Sequence, residues 1–175
     1  MPRWEDSFAW DGRALTTLRP VVLDVGAAGK GYLVDLVGGL LHDAGVHEFV
    51  IDASGDIVHA GGPPIRVGLE HPLDPTVAIG VVALSDGSLC ASASNRRAWG
   101  EGLHHILDAT TGLPTGGVIA TWAVASTGLV ADGLATALFF AEPARLAEHF
   151  DFDFVRMFAD GRVERSTHLD GELFV

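Results

Sequence analysis

Cysteine is nearly absent: Cys90 is the only one in 175 residues, which excludes an internal disulfide and any multi-cysteine zinc site. Basic residues are also scarce. Eleven Lys and Arg stand against 23 Asp and Glu, a formal net charge of −12, so there is no basic footprint for nucleic acid. A phosphate ligand stays open, because a metal ion or backbone N–H groups supply positive potential locally. Long apolar runs are missing too. The longest nearly uncharged stretch, Thr110 to Ala131, is interrupted by Gly112, Pro114, Gly116 and Gly117 and is no membrane span. The N-terminal MPRWEDSFAWDG carries acids where a signal peptide needs an apolar core, so a soluble, cytoplasmic protein is expected. No repeat, linker or low-complexity segment divides the chain, and its length suits one domain over residues 1–175.

What is present is apolar residues at 48% and 22 glycines, the composition of a globular fold with many tight turns. VVLDV (21–25) reads as a short strand. The loop GAAGKG follows, then a helix of about 14 residues whose apolar positions are Tyr32, Leu33, Leu36, Val37, Leu40 and Leu41, capped by Gly45. HEFVIDASGDIVHAGG predicts two strands separated by Ser54-Gly55-Asp56, and IRVGLEHP one strand with a single buried face. TVAIGVVALSDGSLCASAS predicts two strands joined at Asp86-Gly87. HHILDATTGLP predicts a brief strand running into a loop, and VIATWAVAS another strand. A second helix starts at Thr127 as N-cap, and a third, short one at Pro143. A hairpin turns at Asp160-Gly161. Strands outnumber helices and hairpin-length turns join many of them, so the predicted class is α+β with mostly antiparallel sheet and two to three helices.

Several groups of residues carry possible chemistry. Gly26 to Gly31 with Lys30 forms a loop entering a helix. This is either an anion site with free N–H groups and a point charge, or a tight connection. It matches neither the Walker loop nor GxGxxG. Asp132 and Thr136 lie four apart, one turn along the same face of the second helix. They suit a hard cation such as Mg²⁺ completed by water and substrate phosphates, or else act as a cap and a hydroxyl bonded back to its own helix. On the brief strand, His104 and His105 point to opposite sides, and His105 and Asp108 do likewise, so no ready-made relay exists there. Ser92, Ser94, Asn95 and the arginine pair Arg96 and Arg97 are either an acidic-ligand site or surface ion pairs. Cys90, in an apolar β context, reads as an inert thiol.

In this order and spacing the segments LDVGAAGKGYLVD (23–35), VIDASGDIVHAGG (50–62), RVGLEHP (66–72), CASASNRRAWG (90–100), HHILDATTGLP (104–114) and VADGLATAL (130–138) resemble the ApbE family, the FAD:protein FMN transferases. The resemblance covers about residues 20–165. It implies an ApbE, T-fold-like architecture and an enzyme that uses FAD as substrate with Mg²⁺. FMN would pass to a Thr or Ser hydroxyl of an acceptor protein, with AMP released. The alternatives are an FAD-binding module without turnover and a pyrophosphatase giving FMN and AMP. By the same resemblance, Asp132, Thr136 and the backbone carbonyl of Ala27 would hold the metal. Asp24 and Lys30 would contact FAD, and His105 and Ile106 would lie against the flavin nucleotide. His105 would also deprotonate the incoming hydroxyl. Asp132→Ala is expected to remove a metal ligand and leave the fold intact.

The chain departs from the family pattern at several points. Ala93 stands where many relatives have Gly, Asp108-Ala109 where Asp-Pro is common, and Ala135 where some have a further metal-binding Asp. Family members are often exported and typically nearly twice as long, and their N-terminal portion contains a Met-Gly-Thr strand that this sequence lacks. The sequence is then either a fragment of a longer protein, a short variant that borrows the missing half from a second chain as partner, or one that has lost full activity.

Overall fold

The computed structural model describes residues 3–96, 99 and 103–174. A helical turn, α1 (Trp4–Ser7), leads into the hairpin β1 (Phe8–Trp10) and β2 (Leu15–Thr17). The long helix α2 (Gly29–Asp43) precedes β3 (Phe49–Asp52), β4 (Asp56–Ala60), β5 (Ile65–His71), β6 (Asp74–Leu84) and β7 (Gly87–Ala93). Then come β8 (Val118–Ala125), α3 (Gly128–Ala137), α4 (Pro143–Ala147), β9 (Asp153–Phe158), β10 (Val163–Arg165) and β11 (Gly171–Leu173). Among the described residues every strand pairing is antiparallel, so the expected α+β class is the class observed. One helical turn, α1, adds to the expected helices.

The main sheet has six strands in the order β10-β9-β8-β7-β4-β3, and a second has three in the order β11-β6-β5. Strand alternation builds the layers. Leu89, Ala120, Trp122, Val155 and Met157 project from one face of the main sheet onto Leu69, Ile79, Val82 and Leu84 of the small sheet. Their sequence neighbours Cys90, Ala123 and Phe154 project the other way, onto Ala131, Leu134, Ala135 and Leu138 of α3 and its end. Small residues on β7 and β8 let α3 lie close to the sheet, and each large apolar side chain buried there contributes roughly 1.5–3 kcal/mol. Helix α2 packs beside α3 and over β3 and β4.

Thr127 caps α3 as expected, its hydroxyl accepting from Val130 N–H at 3.4 Å. Pro143 opens α4, and the turns at Ser54-Gly55, Gly45 and Gly161 adopt positive φ. Four expectations need correction. VVLDV is not a strand: it has no pairing partner and runs exposed, with Val22 96% accessible. Strands β6 and β7 do not form a hairpin; the Asp86-Gly87 turn carries the chain from the small sheet to the main one. Residues 104–107 form no strand, only isolated bridges at His104 and Leu107, the latter to Pro114.

The fourth correction concerns α2. Its apolar stripe faces outward, with Tyr32, Leu33, Leu36 and Leu40 all exposed, while the buried positions are Gly31, Val34 and Gly38. Close approach decides this. A Cβ on Gly31 would sit 2.1 Å from the Gly128 carbonyl oxygen, so the glycine face is the one that meets α3. No helix of the described chain is long and apolar enough to cross a membrane.

Candidate functional site

The first turn of a helix leaves N–H groups without intrahelical partners, and here each helix start is met by a carboxylate from the body of the other helix. Gly31 N–H on α2 donates to Asp132 Oδ2 on α3 at 2.9 Å. In return, Gly128 and Leu129 N–H at the start of α3 donate to the Asp35 carboxylate on α2 at 2.7 and 2.8 Å. In the loop before α2, Ala28 and Gly29 N–H both donate to the Val25 carbonyl. Asp24, exposed, closes the same loop by accepting from Gly26 N–H at 2.8 Å. The α2 start therefore does hold an anion, but it is the internal carboxylate of Asp132. Of the two readings of this loop, the amides of Ala28, Gly29 and Gly31 fit the tight connection, since each has an internal acceptor.

Charge concentrates at this point. Asp132 is 5% exposed and Asp56, the first residue of β4, is fully buried. Sequence reading assigned Asp56 to a turn; its place in β4, opposite Cys90, turns it inward. Lys30 Nζ lies 3.2 Å from Asp56 Oδ2 and donates to the Ser54 carbonyl at 3.1 Å. Burial raises the Asp132 carboxyl above the usual carboxylate range, against the lowering effect of the Gly31 amide and the Lys30 charge. Asp56 is raised first by burial and next by the Asp132 charge, with Lys30 opposing. Burial and the same two carboxylates push the Cys90 thiol far up, which makes it inert as expected.

Thr136 lies one turn beyond Asp132, its hydroxyl 3.4 Å from that of Ser92. Ala27 lies in the loop that approaches α3, where a Cβ added to Gly133 would lie 3.9 Å from Cβ of its neighbour Ala28. The structure thus brings Lys30, Asp132, Thr136 and the Ala27 loop together. Ile106 is buried with Val118 and Phe139, so this segment presents His105, which is exposed. Phe139 follows α3, about 10 Å along the helix direction from Asp132 at 1.5 Å per residue.

Other expectations resolve simply. His104 is buried, Nδ1 accepting from Ile106 N–H and Nε2 facing the Thr115 carbonyl at 3.0 Å, so it opposes His105 as expected and ties the loop. Asp108 accepts from Thr110 N–H and hydroxyl, which holds its carboxyl below the usual range. Arg96 pairs with Glu70 at 2.9 Å, beside a shallow hollow lined by Gly68, Glu70 and Pro75 to Ala78. Arg97 lies outside the described residues.

A family model described as the ApbE family matches residues 3–154. The chain belongs to the ApbE family. It is 31% identical over 135 residues to an FAD:protein FMN transferase of Rhodobacter capsulatus, covering 73% of this chain and 26% of that protein. With the enzyme of the same name from Klebsiella pneumoniae it shares 28% over 132 residues, covering 70% and 38%. The chain thus spans well under half the length of these curated ApbE relatives. Among solved structures, the ApbE protein of Thermotoga maritima superposes with a TM-score of 0.81 at 24% identity, covering 93% of this chain and 57% of that one. The flavin transferase ApbE of Vibrio cholerae does so at 0.76, also at 24% identity, covering 93% and 56%. At that identity the likeness establishes the shared fold.

Proposed function

We propose that this ApbE chain is the portion of an FAD:protein FMN transferase that holds the FAD pyrophosphate and a Mg²⁺ ion. The observation that carries the reading is the charge imbalance beside α3. Two buried carboxylates, Asp56 and Asp132, face one ammonium, Lys30, and a buried charge left unpaired is costly. A divalent cation corrects that imbalance. The donors also suit it, since a carboxylate oxygen of Asp132, the Thr136 hydroxyl and the Ala27 carbonyl are hard oxygen ligands. Bound Mg²⁺ supplies neutralisation of charge on the pyrophosphate oxygens.

The chain's own residues do the rest. Lys30 and Asp24 contact FAD, with the Lys30 ammonium toward phosphate, while His105 borders the flavin nucleotide and the buried Ile106 anchors the segment that presents it. His105 accepts the proton of the incoming Thr or Ser hydroxyl. The hydroxyl oxygen bonds to the FMN phosphorus as the bond to the AMP phosphate oxygen breaks, so AMP leaves and FMN stays on the acceptor as a phosphoester. The exposed stripe of α2 is the face on which a polypeptide carrying the remainder of the family fold would pack, as the share of the relatives left unspanned supports.

The test combines FAD, Mg²⁺ and a peptide with an acceptor Thr. Flavin fluorescence fixed on the peptide with matching AMP release is the expected result. Free FMN with AMP would mean hydrolysis, and FAD retained unchanged would mean a binding module.

A further inference from the structure

Asp56 has no role in the transfer as described, yet it is the most completely buried acid near the site. Neither of its carboxylate oxygens has a hydrogen-bond donor, and Lys30 is its charge partner at 3.2 Å. Lys30 is the chain's only lysine; the other ten basic residues are arginines. The ammonium is gripped from one side by a single turn. Ser54, held at φ +58, turns its carbonyl to Lys30, and Asp56 closes the turn two residues later. That turn is itself braced, with Ala53 N–H on the Asp56 carbonyl, Gly55 N–H on Asp52 and Ala91 N–H on the Gly55 carbonyl. A non-glycine residue in the left-handed region is uncommon and persists where its surroundings demand it.

An ammonium has three donors. One is spent on the Ser54 carbonyl, the Asp56 carboxylate holds the charge at 3.2 Å, and with the side chain 43% exposed the ammonium keeps donors for a ligand. We propose that Asp56 is a positioning residue: its charge and the Ser54 carbonyl tether Lys30, so that a free ammonium donor meets an anionic phosphate beside Asp132. The inference rests on the flavin reading above for the identity of that phosphate.

Two measurements test it, one without FAD. A single lysine makes acylation by acetic anhydride, read by peptide mass spectrometry, specific to one side chain apart from the N-terminus. Asp56→Asn should raise Lys30 acylation roughly fivefold; unchanged reactivity would overturn the tether. In the second, FAD affinity with Mg²⁺ is measured for Asp56→Asn, Lys30→Met and the double variant. Each single change should weaken binding by about tenfold, and the double variant no further. Losses that multiply would assign Asp56 a role independent of Lys30 and overturn the proposal. Should Asp56→Asn not fold, Lys30→Met still decides: adding Asp56→Asn to it should restore folding and thermal stability, and a double variant no better than Lys30→Met sinks the ion pair. Wild-type protein that ignores FAD, while Asp56→Asn still frees Lys30, would strike the flavin reading and support the tether.

Discussion

The backbone N–H of Gly31 donates to Asp132 Oδ2 at 2.9 Å, which ties the start of one helix to the middle of the next. The contact requires glycine. An added Cβ would lie 2.1 Å from the Gly128 carbonyl oxygen and 2.7 Å from Asp132 Cβ, and neither backbone nor a buried Cβ yields cheaply. Gly31→Ala should therefore cost about 3 kcal/mol or more, read by urea unfolding, while Gly39→Ala, whose Cβ meets nothing within 4 Å, should be neutral or slightly stabilising.

The same hydrogen bond separates two substitutions at Asp132. Asparagine keeps an oxygen for the Gly31 amide and removes the charge; alanine also orphans a buried donor, at about 1–3 kcal/mol. The expectation that Asp132→Ala leaves the fold intact is thereby revised. Asp132→Asn should keep the wild-type melting temperature within a few degrees and lose the stabilisation by Mg²⁺ that the proposed function predicts for the parent. Calorimetry with and without Mg²⁺ checks this, and a full Mg²⁺ response in Asp132→Asn would exclude the residue as a ligand.

Asp35 performs the reciprocal task for α3, accepting from Gly128 and Leu129 N–H. Asp35→Ala should cost about 1–2 kcal/mol, the range for losing a helix cap, and Asp35→Asn distinctly less. Amide hydrogen exchange at Gly128 and Leu129 should accelerate in the alanine variant alone.

How much of this was legible depends on range. Local signals read correctly: Thr127 as a cap, Pro143 at a helix start, Gly45 past a helix end, and the Ser54-Gly55 and Asp160-Gly161 turns all act within a few residues of themselves. What failed is set by partners far along the chain. The α2 stripe reads as a core face because periodicity cannot say which side meets a neighbour. Gly31 shows that close backbone approach to α3 chose the opposite side. VVLDV has strand composition but no strand beside it, and the Asp86-Gly87 turn has hairpin chemistry while its strands pair elsewhere. The site divides the same way. The spacing of Asp132 and Thr136 made them a visible pair, whereas Asp56 looked like a turn residue. The signal that could have exposed it is the lone lysine, which needs a countercharge.

Asp56 also predicts a pH dependence. Burial first and the Asp132 charge second raise its carboxyl. A folded value above the unfolded one, near 3.9, means that ionisation costs stability at neutral pH, and the cost vanishes as pH falls through the folded value. The exposed carboxyls of Asp11 and Asp74 are lowered by hydrogen bonds to Ala14 and Thr76. They act oppositely, lending stability above about pH 4 that is lost below it. Wild type should therefore gain melting temperature relative to Asp56→Asn between pH 7 and 4, and a constant difference over that range would contradict the assignment.

The outward stripe of α2 makes the last prediction, because core and surface are inverted on one helix. Leu36 and Leu40 are 48% and 69% exposed, whereas Val34, between them and the glycine face, is 2% exposed. If stability follows burial rather than hydrophobicity, Leu36→Gln with Leu40→Gln should change unfolding free energy by less than about 0.5 kcal/mol per site. Val34→Ala should cost about 2 kcal/mol from the lost methyl groups and the space they leave. The leucine pair should register elsewhere. Exposed apolar surface of this kind drives association, so light scattering of the wild-type chain should rise with concentration and fall in the double glutamine variant. A large destabilisation by the glutamines would mean that α2 turns its stripe inward after all, and the Gly31–Gly128 contact would then have to open.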